Sequence, residues 1–333
     1  MASEPKYKLV REIPRKDILF CVARVLGTQR YFVGSSDGDV YFFDLALEKI
    51  EPVALPGHSG YVTGVATGVG DVLVSGGSDG YLIWWNSSTR EQIRKIKAHD
   101  KWVRAVKASP DGKWIASVAD DMVCGVWNVE TGMLKHELRG HEALTPQKLR
   151  SMLFTCAFSP DGTLLATADK VGHIVVWDLA EGKAVGGVEA PLLYTWDGTQ
   201  RLHSIGGVRA LAFSPDGTQL AAGGIGQIGN IDGLGAKARV EIFDWRKKTK
   251  LAEITPEKQG LVEFLHYHPN GDWLLMAGGG AKGFMIFVEP KERKILLDET
   301  PPMVVHDMAM DEGYKRIFAV GHNKAAVYEE AGR

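Results

Sequence analysis

The chain has 333 residues, a formal net charge of −2 at pH 7 and 45% hydrophobic residues. These values predict a packed globular protein and argue against a general electrostatic attraction to nucleic acid or anionic lipid. The N-terminus lacks an apolar secretory core and no stretch approaches about 18 apolar residues, so we expect a soluble, cytoplasmic protein.

An N-terminal strand is the first element. Residues 6–13 alternate apolar with charged side chains, which is typical of a strand with one buried face. We expect residues 1–5 to be flexible. We expect residues 6–13 to supply the outer strand that the last repeat unit lacks, because this pairing removes an open sheet edge.

An aromatic residue then recurs at a near-constant interval. The step from Phe43 to Trp85 is 42 residues, and the step from Trp85 to Trp127 is again 42. The later positions are Trp177, Phe243, Phe287 and Tyr328. A fixed period of this size indicates seven copies of one supersecondary unit, which together bury a continuous core.

Each copy contains three clear strand patterns and a weaker fourth. In the fourth copy the apolar run 151–160 ends in the turn sequence SPDG, followed by the short runs 164–168 and 174–177. Proline presets a turn dihedral, aspartate bonds the local backbone and glycine accepts positive φ. Short β-branched and aromatic runs without a helical period predict an all-β fold.

The three cysteines, Cys21, Cys124 and Cys156, each fall in a predicted strand. Their spacing matches no metal-binding pattern, and an odd number cannot pair completely in disulfides. We therefore expect buried thiols, which suit a reducing compartment, and no bound metal.

Gly-His or Ala-His pairs precede three copies, and Trp followed by Asp or Asn ends their third strands. The residues are Gly57-His58, Ala98-His99, Gly140-His141, Trp85-Asn86, Trp127-Asn128 and Trp177-Asp178, with Phe43-Asp44 and Phe243-Asp244 as relaxed forms. In these residues the chain resembles the WD40-repeat β-propeller family. The resemblance implies a single seven-bladed β-propeller of four-stranded antiparallel blades over residues 6–330, with the ring closed by the N-terminal strand.

The resemblance also implies a buried hydrogen-bond chain of His, Ser or Thr, Asp and Trp in the clearest blades. The implied members are His58, Ser75, Asp79 and Trp85 in the second blade, His99, Ser117, Asp121 and Trp127 in the third, and His141, Thr167 and Trp177 in the fourth. In the fourth blade Val171 stands where the aspartate is expected.

Two short motifs are typical of enzymes but lack the required context. Residues 224–229 spell GxGxxG, yet no helix pattern follows to meet a pyrophosphate. Residues 76–80 spell GxSxG but lead into a strand, and residues 34–38 repeat that pattern at the equivalent turn. We interpret both as structural loops and expect neither a cofactor nor catalysis.

Three insertions interrupt the period, at residues 142–150, 190–207 and 225–238. The first two join the last strand of one blade to the first strand of the next, and the third joins the middle strands of the fifth blade. In a four-stranded meander these connections leave the same rim, so we expect all three on one face over blades four and five. Long loops on a rigid scaffold commonly carry binding residues.

Candidate partner-binding residues lie in these insertions. They are Tyr194, Trp196, Arg201 and Arg150, with Lys148 and Asp232 in support. Tyr, Trp and Arg are enriched at interface hot spots, although Trp196 has the alternative role of packing its insertion onto the propeller. We expect a non-catalytic interaction scaffold or complex subunit that binds other proteins or peptides, without nucleic acid, a membrane or a small-molecule cofactor.

An alternative function is a propeller enzyme or ligand sensor that uses the mouth of the central channel. The inner strands would then have to supply carboxylates or histidines, and the candidates are Glu263, His266, His306 and Asp307. His266 and His268 have a spacing that suits a metal, but no third ligand is evident nearby, so a structural role is favoured.

Overall fold

The computed structural model describes residues 5–199, 202–229 and 235–331. Within them every regular element is a strand except one 3₁₀ turn, Pro191–Leu193, which confirms the predicted all-β class. The chain divides into two compact units. The terminal unit comprises Lys6–Glu137 and Val305–Arg333, and the central unit comprises Leu138–Val304.

Three four-stranded antiparallel sheets form most of the central unit, each a meander in chain order. The first contains β13 (Leu153–Phe158), β14 (Leu164–Asp169), β15 (His173–Asp178) and β16 (Lys183–Glu189). The second contains β19 (Ala210–Phe213), β20 (Gln219–Ile225), β21 (Ala238–Asp244) and β22 (Thr249–Ile254). The third contains β23 (Leu261–Tyr267), β24 (Leu274–Gly279), β25 (Gly283–Glu289) and β26 (Lys294–Glu299). A separate two-stranded hairpin pairs β17 (Tyr194–Asp197) with β18 (His203–Gly206).

Two further four-stranded meanders and one six-stranded sheet form the terminal unit. The first meander contains β5 (Val62–Gly68), β6 (Val72–Gly77), β7 (Tyr81–Asn86) and β8 (Gln92–Lys97). The second contains β9 (Val103–Ala108), β10 (Trp114–Ala119), β11 (Val123–Asn128) and β12 (Leu134–Arg139). The six-stranded sheet has the order β27 (Val305–Met310), β28 (Arg316–Glu330), β1 (Tyr7–Arg24), β2 (Arg30–Ser35), β3 (Asp39–Asp44) and β4 (Val53–Pro56).

The six-stranded sheet bears on the repeat count. Its strand β1 is 18 residues long and pairs with β28 from Tyr7 to Ile18, then with β2 from Leu19 onward. The sequence therefore predicted the pairing of the N-terminal strand with the C-terminal repeat. The described residues show six sheets of four or more strands, so the predicted number of seven blades is not confirmed. The sequence counted the first and the last repeat as separate units, but both lie in this one sheet. They are joined because β1 pairs with β28 and then with β2, and β28 pairs with both β27 and β1.

The SPDG turns fold as their residue types predict. In each, the serine hydroxyl donates to the aspartate two residues on, at 2.6 Å for Ser109, 2.5 Å for Ser159 and 2.6 Å for Ser214. These hydrogen bonds, with a backbone amide two residues later, lower the pKa of each aspartate. The closing glycine of each turn has φ between 67° and 70°, which a residue without Cβ adopts at little cost.

Two different pairs of residues fill the same place in the cores of six sheets. In each, the recurring aromatic of the third strand lies diagonally across from a fully buried residue of the second strand, two positions beyond its direct register partner. Where the aromatic is Trp, that residue has a hydroxyl: Ser75 with Trp85, Ser117 with Trp127, and Thr167 with Trp177. Where it is Phe, that residue is apolar: Val33 with Phe43, Ala222 with Phe243, and Ala277 with Phe287.

Candidate functional site

A histidine from the connection before the first strand enters each of the two sheets β5–β8 and β9–β12. In the first, His58 Nε2 lies 2.8 Å from Ser75 Oγ and His58 Nδ1 lies 3.0 Å from Asp79 Oδ1. The Trp85 indole donates to the same Ser75 oxygen at 2.9 Å. A Cβ on Gly57 would lie 2.7 Å from the Trp85 ring, which explains the glycine before this histidine.

The sheet β9–β12 repeats this arrangement. His99 Nε2 lies 2.8 Å from Ser117 Oγ, and His99 Nδ1 lies 3.2 Å from Asp121 Oδ2. The Trp127 indole donates to Ser117 Oγ at 2.9 Å. Since the aspartate accepts, we assign the ring proton to Nδ1, so Nε2 accepts from the serine hydroxyl and the serine oxygen accepts from the indole.

The chain of Ser75, His58 and Asp79 has the residue types of a hydrolase triad but not its accessibility. Burial lowers the pKa of His58. Burial alone would raise the pKa of Asp79, but hydrogen bonds from His58 and from the Ser59 and Tyr81 amides outweigh it and lower that pKa. Ser75 is fully buried, so its hydroxyl has no path to a substrate. The arrangement can tie a connection to two strands, which is a structural task.

The fourth copy completes the same chain with a residue that its spacing did not indicate. Asp169 Oδ2 lies 3.0 Å from His141 Nδ1, while Thr167 Oγ1 lies 2.8 Å from His141 Nε2 and accepts from Trp177 at 2.9 Å. The expected position holds Val171. Asp169 lies two residues after Thr167 on β14, so both side chains lie on one face of the strand. The even spacing between Thr167 and Asp169 was therefore the sequence feature that could have identified Asp169 as the missing aspartate.

The three insertions contact one another through hydrogen bonds, and we call them together the insertion surface (residues 142–150, 190–207 and 225–238). The Tyr194 hydroxyl donates to Gln147 Oε1 at 2.7 Å, which joins the second insertion to the first. Gln227 Nε2 donates to the Tyr194 carbonyl at 2.8 Å, and the Ile228 amide donates to Thr195 Oγ1 at 3.1 Å. These two bonds join the third insertion to the second.

The first insertion is a tight hairpin. A bridge joins Leu144 to Arg150, and the Thr145 amide donates to the Leu149 carbonyl at 2.7 Å. Lys148 lies at its tip with φ 62°. Both Lys148 and Arg150 are exposed, and within the described part of the chain neither has an ion-pair partner. Two cations therefore remain available to a ligand beside the Tyr194–Gln147 bond.

The second insertion folds as the hairpin β17–β18. Trp196 is half-buried, and its indole lies over the tip, since a Cβ on Gly198 would be 2.8 Å from Trp196 Nε1. Leu192 and Leu202, on either side of the hairpin, are 40% and 66% exposed. Two of the candidate residues, Arg201 and Asp232, lie outside the described residues.

A groove of about 930 Å³ adjoins the second insertion, because Pro191 and Leu192 line it together with the outer strand β16. Glu241 lies in its wall, almost fully buried, and is held by Arg239 at 2.7 Å and by Lys250 at 3.5 Å. The Glu241 charge in this wall is thus neutralised by its neighbours.

The residues considered for a channel-mouth site lie on two strands. Glu263 and His266 are on β23 in the central unit, and His306 and Asp307 are on β27 in the terminal unit. Asp307 accepts from the Val22 amide at 3.0 Å, a structural use of its carboxylate. Among the described residues, no group of three or more His, Cys, Asp or Glu is placed to hold a metal ion.

Four stretches of the chain match the family model described as "WD domain, G-beta repeat": residues 51–86, 90–128, 132–178 and 195–227. The first three include the His–Ser/Thr–Trp chains described above. The chain belongs to the WD40-repeat β-propeller family. Each four-stranded meander is therefore a propeller blade, and the buried histidine chains are part of its repeated framework.

Several WD40-repeat relatives are similar over part of their length. The chain is 30% identical over 190 residues to "Apoptotic protease-activating factor 1" of Homo sapiens, covering 57% of this chain and 14% of that protein. It is 28% identical over 179 residues to "Small ribosomal subunit protein RACK1y" of Oryza sativa subsp. japonica, covering 53% and 43%. It is 30% identical over 154 residues to "Guanine nucleotide-binding protein subunit beta" of Zea mays, covering 43% and 38%. The match spans less than half the length of each relative.

In the described parts of this WD40-repeat chain, no helix has the length and apolar character needed to cross a bilayer.

Proposed function

We propose that this chain is a non-catalytic interaction scaffold, or a subunit of a larger complex, that binds a partner protein or peptide through the insertion surface. The observation that carries the proposal is the set of hydrogen bonds joining Gln147, Tyr194, Thr195, Gln227 and Ile228. They make one continuous surface from three segments that are separate in sequence.

The chemistry of the insertion surface suits a protein ligand. Lys148 and Arg150 offer exposed cations, and Leu144, Leu192 and Leu202 are 48%, 40% and 66% exposed. A mixture of exposed apolar side chains, an anchored tyrosine and unpaired arginine is typical of interface hot spots. The candidates Trp196, Arg201 and Asp232 belong to the same three insertions.

The relatives support the same function. Two of them are named as parts of assemblies, a small ribosomal subunit protein and a beta subunit of a guanine nucleotide-binding protein. Their names place those proteins in complexes, and we extend that role to this chain. The burial of the hydroxyl groups in the histidine chains supports a role without catalysis, because a buried nucleophile cannot reach a substrate.

We also propose that the six-stranded sheet represents two blades, which restores seven. Strands in globular proteins are usually about 3–10 residues long, whereas β1 has 18 residues and β28 has 15. Both change partners along their length, and Asn323, with φ 58°, lies between the two paired segments of β28. On this interpretation, residues 6–13 are the outer strand of the last blade.

The function is tested by affinity purification of the tagged chain from its native lysate, with quantitative mass spectrometry of the proteins retained. The informative variant is Lys148→Ala with Arg150→Ala. The matched control is Lys291→Ala with Arg293→Ala, because these residues also form an exposed pair two positions apart, with one member at positive φ.

We expect one or more proteins to be retained by the wild type and the control, and to fall about tenfold for the Lys148/Arg150 variant. A further variant, Tyr194→Phe, removes the bond to Gln147 and should weaken retention by a smaller factor. Equal retention by all four proteins would show that the insertion surface is not the binding site.

A further inference from the structure

A row of aromatic rings lies in the terminal unit, on elements that the insertion surface does not include. It consists of His322, His306, Phe20, Tyr61 and Trp102, and we call it the aromatic row. Successive ring centroids are 4.8 Å, 5.5 Å, 5.7 Å and 5.7 Å apart. These residues come from β28, β27 and β1 and from the connections before β5 and β9, so the row crosses several strands.

The aromatic row is accessible. Tyr61, near its middle, is 45% exposed, His322 is exposed, and Phe20, Trp102 and His306 are half-buried. By contrast, Phe43 and Trp84, which fill sheet cores, are fully buried. Contiguous exposed aromatic surface is typical of a binding site.

The geometry of the rings limits the ligand. Neighbouring planes are tilted by 40° to 59° and adjacent rings touch, so they form a corrugated ledge with no gap wide enough to enclose a cation. At the end of the row, Arg104 already stacks on Trp102 with its Cζ 3.9 Å from the ring centroid. A ledge of this kind suits flat or ring-shaped apolar groups that stack on its faces.

Charge limits the ligand further. Arg104 is neutralised by Asp120 through two hydrogen bonds of 2.8 Å and 2.7 Å. Among the described contacts, Arg104 is the charged side chain that stacks on a ring of the row, that of Trp102. Stacking of single-stranded nucleic acid combines aromatic platforms with a groove of available cations, and a neutralised arginine does not supply one.

The Tyr61 hydroxyl supplies a hydrogen-bond donor. Within the described part of the chain no side chain or backbone group bonds to it, while the Trp102 indole donates to Thr63 Oγ1 at 3.4 Å. A ligand that stacks on the rings therefore gains most if it also presents carbonyl acceptors beside them.

We propose that the aromatic row is a docking surface for a proline-rich segment in the polyproline II conformation. Proline rings pack on aromatic ridges, and the polyproline II backbone has no internal hydrogen bonds, so its carbonyls face outward as acceptors. The segment is rigid before binding and loses little conformational entropy when it docks. An uncharged, ring-bearing, acceptor-rich peptide complements the rings, the neutralised Arg104 and the Tyr61 hydroxyl.

The test is a fluorescence-anisotropy titration of labelled decaproline with the full chain. Tyr61→Ala removes the central ring, and Tyr61→Phe removes only the hydroxyl. The matched control is Tyr81→Ala, a tyrosine outside the row whose ring carries Lys95 and Lys97 at 4.8 Å and 5.0 Å. A labelled glycine-serine peptide and a labelled oligothymidylate of equal length complete the set.

We expect saturable decaproline binding by the wild type, unchanged for Tyr81→Ala, about tenfold weaker for Tyr61→Ala and intermediate for Tyr61→Phe. The Lys148/Arg150 variant of the insertion surface should bind decaproline like the wild type. Absence of saturable binding by the wild type overturns the proposal whatever the variants do. So does equal loss in Tyr61→Ala and Tyr81→Ala, or binding of oligothymidylate in place of decaproline.

Discussion

The sheets with a recurring tryptophan and those with a recurring phenylalanine solve the same packing problem in two ways. In β9–β12 the Trp127 indole donates to Ser117, which also contacts His99. In β23–β26 the equivalent pair is Ala277 and Phe287, both fully buried and without polar side-chain atoms.

The comparison shows that the two positions change together. A buried indole N–H needs an acceptor, and a buried hydroxyl needs a partner, whereas phenylalanine and alanine need neither. A mixed pair would leave a polar group unsatisfied, at a cost of about 1–3 kcal/mol. At these two positions, none of the six sheets of four or more strands formed by the described residues has a mixed pair.

The largest expected effect is that of Trp127→Ala, which leaves a cavity in β9–β12. Trp127 is 7% exposed and packs edge-on against Trp84. Loss of a buried aromatic side chain costs about 3–5 kcal/mol. Urea unfolding followed by circular dichroism measures the change in free energy.

Trp127→Phe is the control for this variant, because phenylalanine occupies the equivalent place in three other sheets. It should cost less than Trp127→Ala, since most of the packing remains. If Trp127→Ala unfolds at the same urea concentration as the wild type, Trp127 is not a core residue of its sheet.

A smaller effect is expected for Ser117→Ala, which removes the acceptor of the Trp127 indole and the partner of His99 Nε2. The cost should be about 1–3 kcal/mol, because buried polar groups are left unpaired. The double variant with Trp127→Phe should lose less than the two single variants added together, as a double-mutant cycle detects. Strict additivity would contradict the coupling between the two positions.

The smallest expected effect concerns acid stability and the sheet β23–β26. Burial, with a contribution from the nearby His268, lowers the pKa of His266 from its ordinary value of 6.5 to about 4. Between pH 6.5 and pH 4, His266 is therefore protonated in the unfolded chain but neutral in the folded chain. Stability consequently falls as the pH drops from about 6.5 toward 4. The difference between the urea midpoints at pH 7 and at pH 5 should be smaller for His266→Phe than for the wild type. An unchanged pH dependence would show that His266 does not titrate in this way.

Much of the fold followed from local patterns. The aromatic period, the SPDG turns and the alternating N-terminal run are short-range features, and they predicted the all-β class and the pairing of residues 6–13 with the end of the chain. The three insertions that carry the candidate site could also be located from the sequence, because an insertion lengthens the interval between successive recurring aromatic residues.

Other features could not be predicted from spacing. Asp169 replaces the missing aspartate two residues before the expected position, because a strand face repeats every second residue and either place can reach His141. The six-stranded sheet depends on β28 folding back near Asn323, which has φ 58° and lies between the segment paired with β27 and the segment paired with β1, so that the Glu330 amide donates to the Lys315 carbonyl at 2.7 Å. Likewise, the bond from Tyr194 to Gln147 joins residues 47 apart in sequence, and no local signal announces it.

The sequence by itself determined the repeat unit, its turns and its buried aromatic positions, because these depend on side-chain size, backbone propensity and hydrogen bonds within a few residues. Only the tertiary structure decided which side chains meet: Tyr194 with Gln147, Asp169 with His141, and five rings from distant segments in one row. Such contacts depend on the relative placement of whole strands, which is set by the packing of the complete sheets.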